Sequence, residues 1–205
     1  MGLYSRYVLP RVVHYTCGLK PAMRQRAKVV PQARGRVLEV GIGSGLNLPF
    51  YDRAKVNKVW GLEPSAEMMK MAQRAARSLP LEVEFIGLPG EEIPLEDGSM
   101  DTVVLTYTLC TIPDTLVALR EMRRVLRPGG ELIFCEHGAA PDANVRRLQE
   151  LVNPVWKRLS GGCNLNRRIP ELVEAGGFRL RKLETMYIPG WRPACFNYWG
   201  FASVV

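Results

Sequence analysis

Three glycines at alternate positions, Gly41, Gly43 and Gly45, follow an apolar stretch that contains Val37, Leu38 and Val40. An acid, Glu39, stands two residues before the first of them. A residue without Cβ lets the backbone turn sharply and lets a ligand approach the main chain. A glycine loop between a strand and a helix binds nucleotides. The dinucleotide version needs a glycine where this chain has Leu46, and it seats a pyrophosphate on the helix N-terminus. A nicotinamide oxidoreductase is therefore disfavoured. A second acid, Glu63, closes the apolar run that starts at Lys58. It lies about twenty residues beyond the glycines, where a ribose-binding carboxylate belongs. Such a group accepts hydrogen bonds from both ribose hydroxyls; the alternative is a solvated residue at a strand end.

The elements that must hold these groups alternate in type. After strands at 36–40 and 58–63, Ser65 is a candidate N-cap for a helix over 66–77. Residues 81–87 alternate as a third strand. Residues 101–112 read as a fourth strand and its exit, and 119–126 as a helix stopped by Arg127-Pro-Gly-Gly130. Residues 131–137 form a fifth strand. A helix follows around 148–159, then a shorter one over 166–175 with Asn166 as its cap. Residues 178–188 and 194–204 supply the last two strands. Strands alternating with helices predict a parallel sheet covered on both faces. A chain of 205 residues suits one domain with a substantial core, here spanning 1–205 with a helical arm at 1–35.

The loop Glu39-x-Gly-x-Gly-x-Gly45, the acid Glu63, the stretch at 101–112 and the strand–Arg-Pro-Gly-Gly–strand order resemble class I S-adenosylmethionine-dependent methyltransferases. The resemblance covers residues 36–138 closely. It implies a doubly wound α/β fold with a mostly parallel seven-stranded sheet and a C-terminal antiparallel hairpin. It implies S-adenosyl-L-methionine as cofactor and S-adenosyl-L-homocysteine as product. The positions it assigns to the cofactor are Glu39, Gly41, Gly43, Gly45, Asn47, Glu63, Pro64, Gly90, Glu91, Thr106 and Tyr107, with Pro89 beside the adenine. Glu39 is expected near the cationic amino-acid end of the cofactor. Pro49-Phe50-Tyr51, Thr108-Leu-Cys110, Glu136-His137 and Gly162-Cys-Asn-Leu165 are similar to small alkyl thiol methyltransferases and to bacterial phospholipid-methyltransferase-like relatives. That subgroup implies a small, lipophilic acceptor: a thiol first, a phospholipid amine or quinone-type ring second. A non-catalytic S-adenosylmethionine-binding module is the alternative of another class.

Methyl transfer needs a deprotonated thiol or a neutral amine as nucleophile. His137, at the end of strand five, has a pKa range that suits proton removal near neutrality; the alternative is a structural histidine. Glu136 either orients it or meets the acceptor. One of Tyr107, Thr108 and Cys110, at the end of strand four, should touch the acceptor or the methyl group, with alternation placing Tyr107 and Thr108 on opposite faces; a covalent role for Cys110 is disfavoured, because direct transfer needs no intermediate. Cys163 and Asn164 either line an acceptor lid or belong to a helix cap. Trp156, Trp191, Phe196, Tyr198 and Trp199 either line an apolar pocket or fill the core.

The five cysteines are scattered and no pair has zinc-ligand spacing, so no metal is expected. Cys135 reads as a small core residue. Met1 to Leu38 hold eight basic residues and no acid, so the whole formal charge of +8 sits in this arm. Pro10 and Pro21 argue against one uninterrupted helix. The arm either caps the cofactor site, with Tyr4 and Tyr7 facing the cofactor or serving only in packing, or lies on an anionic membrane surface. Nucleic acid is the least favoured partner, since no recognition motif accompanies the charge. No signal peptide or membrane span is visible. The cytoplasm is the expected compartment, with membrane-surface association through the arm as its extension.

Overall fold

The computed structural model describes residues 3–204. Its centre is a seven-stranded sheet in the order β3-β2-β1-β4-β5-β7-β6. The strands are β1 (Gly35–Val40), β2 (Val56–Leu62), β3 (Val83–Ile86), β4 (Met100–Thr106), β5 (Leu126–His137), β6 (Phe178–Tyr187) and β7 (Phe196–Val204). β1 pairs in parallel with β2 and β4, and β4 with β5. Only β7 runs against its neighbours β5 and β6. The expected doubly wound sheet with its antiparallel hairpin is present.

Apolar runs in the central strands bury both faces, as parallel strands under helices must. On one face Leu38, Val103, Leu105, Leu132 and Phe134 meet α4 (Thr115–Val125) and α6 (Ile169–Ala175) through Leu119, Met122, Ile169 and Val173. On the other, Val37, Val104, Ile133 and Cys135 meet Val29, Val30 and Ala72. These last come from α2 (Lys20–Val29), the turn after it, and α3 (Ala66–Ala76). Cys135 is fully buried, as expected. The Ser65 side chain accepts a hydrogen bond from Met68 N–H and starts α3. Asp114 caps α4 in the same way through Val117.

Several boundaries differ from those read in the sequence. Arg127-Pro-Gly-Gly130 is not a separate turn: α4 ends at Val125 and the segment opens β5. The register slips there, from Met100↔Leu126 to Thr102↔Glu131, and Gly129 takes a positive φ of 78° to absorb the extra length. Asn166 does not cap α6, which begins at Ile169 after Arg168 without a side-chain cap. α5 (Ala143–Leu159) starts earlier than its apolar pattern suggested. In the arm, a π-helical turn (Tyr4–Val8) runs directly into α1 (Leu9–Cys17), and Pro10 sits at that change of winding. The break falls at Gly18-Leu19, with Pro21 in the first turn of α2. Met1 and Gly2 lie outside the described residues. Among the described residues no helix is long and apolar enough to cross a membrane.

Candidate active site

The C-terminal ends of β1, β2 and β4 open into a cleft of about 910 Å³. It lies where the sheet order reverses, the usual ligand position in such folds. Its wall includes Gly41, Gly43, Glu63, Pro64, Pro89, Gly90, Glu91, Thr106, Tyr107 and Thr108. The cofactor positions Glu39, Gly45 and Asn47 do not line it, nor do Cys110 and His137. From the arm, α1 lends Leu9, Pro10, Val13, His14 and Cys17, a stripe at helical spacing. The arm therefore covers the cleft, but not with the residues expected. Tyr4 donates to the Leu159 carbonyl at 2.8 Å, and neither Tyr4 nor Tyr7 lines the wall.

Glu63 ties the glycine loop to the end of β2. Its Oε2 accepts from Gly43 N–H at 3.1 Å and its Oε1 from Ser65 N–H at 2.8 Å. Burial raises its pKa, and those two N–H groups oppose the rise. The loop itself needs glycine. Gly41 and Gly43 have φ values of 70° and 57°, and a Cβ on Gly41 would overlap the Thr108 side chain. A Cβ on Gly43 would meet nothing nearer than the Met68 methyl at 3.4 Å, so its main chain is open toward the cleft.

Glu39 lies beneath the floor rather than in the wall. Its Oε1 accepts from Asn47 Nδ2 at 2.9 Å and its Oε2 from the Tyr51 hydroxyl at 2.7 Å. The Asn47 Oδ1 and the Thr106 hydroxyl in turn accept from Arg26 Nη1 at 2.8 and 2.6 Å. Arg26 is 5% exposed, lines the cleft, and rests over the Tyr107 ring at 5.1 Å. Burial pushes the Glu39 pKa up to about 7 despite the Tyr51 bond and the Arg26 charge.

Tyr107 has a φ of 53°, a left-handed conformation rare for a tyrosine. The turn ends the strand alternation at Thr106, so Tyr107 and Thr108 both reach the cleft instead of opposite faces. The Tyr107 hydroxyl donates to Asn197 Oδ1 at 2.6 Å. The buried Glu136 carboxylate holds this turn, accepting from Thr108 and Leu109 N–H at 2.7 and 3.0 Å with Oε1. Glu136 does not orient His137 through any hydrogen bond. His137 Nε2 instead faces Cys163 Sγ at 3.3 Å. Burial opposes protonation of His137, yet Cys163 and Glu136 raise its pKa overall. Asn164 donates to the Cys110 carbonyl at 2.9 Å, and only Ser160 and Gly161 of that loop reach the cleft. None of Trp156, Trp191, Phe196, Tyr198 and Trp199 lines it.

Arg26, His14, Cys17 and Ser44 were not singled out from the sequence for this site. His14 Nδ1 lies 2.7 Å from the Ser44 hydroxyl. A signal existed for Arg26: it shares the buried face of α2 with Ala22, Gln25 and Val29, and an arginine on an apolar face requires a partner.

A glycine loop at the reversal point, with a buried carboxylate closing the next strand, defines an α/β protein built to hold an adenosyl cofactor. Residues 38–134 match a family model described as a methyltransferase domain. The chain is 36% identical to the human thiol S-methyltransferase TMT1B over 181 residues, covering 85% of this chain and 73% of that protein. It is 36% identical over 118 residues to the phosphatidylethanolamine N-methyltransferase of Cereibacter sphaeroides, covering 57% of each. Among solved structures, a geranyl diphosphate methyltransferase in complex with S-adenosylmethionine superposes with a TM-score of 0.70 at 15% identity, over all of this chain and 92% of that one. The chain belongs to the class I S-adenosylmethionine-dependent methyltransferases. The cleft fits that cofactor: its volume is that of a small-molecule site, and Glu63 retains lone pairs for hydroxyls.

Glu39→Gln isolates the acid beneath the floor. An acid whose folded pKa is raised stabilises the fold below its unfolded value, and that contribution is lost as the pH climbs from 4.5 toward about 7. Urea unfolding at about pH 5 and about pH 8 should therefore show the wild type losing stability relative to Glu39→Gln. An unchanged difference would mean that Glu39 titrates in its ordinary range.

Proposed function

We propose that this chain methylates a small, lipophilic thiol. The observation that carries the reading is its 36% identity, over 85% of its length, to a thiol S-methyltransferase. Bound S-adenosylmethionine supplies a methyl group already activated by a sulfonium charge. Glu63 would accept from the ribose hydroxyls, and Pro64 would follow it along the wall. The main chain of Gly41 and Gly43 would pass under the methionine portion. Pro89, Gly90 and Glu91 would meet the adenine. Arg26 would bring a positive charge to the carboxylate end, held in place by Asn47, Thr106 and, through Asn47, Glu39. Gly45 would act by packing, because a Cβ there would press on Leu48 and Ala72.

On the acceptor side Tyr107 and Thr108 shape the wall. A thiol ionises at about 8.5, and Arg6 and Arg26 in the wall favour the thiolate. Transfer forms one carbon–sulfur bond and breaks another, leaving a neutral thioether product and a released proton. What the chain must add is alignment and exclusion of water. A strong base is not needed, which suits the position of His137 and Cys110 behind the wall.

The test is transfer of labelled methyl from S-adenosylmethionine to a panel of alkyl thiols, phospholipid amines and phenols. Label should enter the thiols, with stoichiometric S-adenosylhomocysteine, at a rate that rises with the thiolate fraction. Turnover of amines or phenols with inert thiols would overturn the reading.

A second reading concerns where the acceptor is met. Leu151, Val155 and Leu159 of α5 are 77, 64 and 60% exposed, at spacings that put them on one face. Tyr4 bonds the end of that helix, and exposed Leu3, Tyr7, Val12 and Tyr15 continue the apolar surface onto the basic arm. Leu9, Ser160 and Gly161 connect it to the cleft. We infer a peripheral contact with anionic membrane that delivers a lipophilic acceptor. The protein should sediment with anionic vesicles and release them at high salt. The pair Leu151→Gln, Val155→Gln should lower that binding. Equal binding by the pair, or to neutral vesicles, would contradict the contact.

A further inference from the structure

Behind the cleft wall three soft ligand groups from distant parts of the chain converge. Cys110 follows the Tyr107 turn, His137 ends β5, and Cys163 lies in the loop after α5. One ligand atom from each lies within 4.8 Å of the other two. We propose that Cys110, His137 and Cys163 bind a thiophilic divalent cation of the zinc class.

The spacing suits one. Tetrahedral zinc with two sulfurs and an imidazole nitrogen holds those atoms about 3.5–3.8 Å apart, given its bond lengths. His137 Nε2 and Cys163 Sγ already stand 3.3 Å apart. Sulfur and imidazole together select zinc-class metals over calcium or magnesium. The three segments are also held together without a metal. Both the main-chain and the side-chain N–H of Asn164 donate to the Cys110 carbonyl at 2.9 Å. Arg167 Nη1 donates to the Ile112 carbonyl at 2.8 Å and places a cation on the same turn.

The surroundings resemble an outer coordination shell. Trp156 Nε1–H donates to Cys163 Sγ at 3.4 Å, a bond that favours a thiolate sulfur. Nε2 is the ring nitrogen that faces the sulfur, while His137 Nδ1 is buried and has no partner among the described residues. On binding, each thiol gives its proton to solvent as its sulfur joins the metal. Three protein ligands leave a fourth tetrahedral position for water or a small external thiol, the pattern of open rather than closed sites. The sequence hides the group because its members are twenty-six or more residues apart. The metal would fasten the loop carrying Ser160 and Gly161, which forms one rim of the cleft.

The inference does not depend on the acceptor, because its test needs neither cofactor nor turnover. The full chain, reduced and freed of metal, is titrated with cobalt(II) alone. Tetrahedral d–d bands and thiolate-to-cobalt charge transfer should appear, saturate at a stoichiometric amount and vanish on adding zinc. Cys163→Ser should weaken cobalt binding and reduce the charge-transfer band, which Cys110 alone would then supply, while Cys195→Ser, which alters a cysteine outside the group, should keep both. His137→Gln, a milder change, should weaken cobalt binding at least tenfold and covers the case in which Cys163→Ser does not fold. The proposal is overturned if the reduced native protein gives no thiolate–cobalt band, or if Cys163→Ser or His137→Gln leaves the titration unchanged.

Discussion

A buried cation under a glycine loop is the constraint on which this structure depends. Arg26 cannot remain in the interior without compensation, because an unpaired buried charge costs several kcal/mol or more. Asn47, Thr106, Glu39 and Tyr51 supply it through one chain of hydrogen bonds. The chain crosses five segments: the arm, β1, the loop after β1, the short turn before β2 and the end of β4. Each partner therefore fixes the position of the others. The arm is part of the cofactor cleft because its arginine is locked into the sheet end.

The rest of the cleft follows from two further close approaches. Glu63 holds the loop from the β2 side by accepting Gly43 N–H. Thr108 packs where a Cβ on Gly41 would stand, which brings the turn after β4 against the same loop. That turn is in turn held by Glu136 from β5. The strand ends thus present a carboxylate, an open main chain and a cation at fixed positions. Fixed positions are what an in-line transfer requires of a protein whose cofactor brings its own reactivity.

Much of this was legible in the sequence because it depends on local pattern. The glycine spacing, the acid at 63 and the Ser65 cap are read from neighbours along the chain, and the apolar strand runs force the sheet. Alternation failed at Tyr107 because a tertiary bond to Asn197 and the Glu136 carboxylate stabilise a left-handed residue that no local propensity favours. His137 looked like a base because it ends a strand at the ligand edge; its ring turns instead toward Cys163. Arg26 was hidden among eight basic residues of the arm, since charge counting treats a solvated arginine and a buried one alike. Only the helical spacing of its apolar neighbours distinguishes it.

We propose that the cleft closed by Glu63 holds S-adenosylmethionine. Calorimetric titration of the cofactor into wild type and Glu63→Ala tests it most directly. Removing a charged acceptor of hydrogen bonds should weaken binding by about 1–3 kcal/mol, with the fold retained by circular dichroism. Equal affinity in the two proteins would place the ribose elsewhere and contradict the assignment of the cleft.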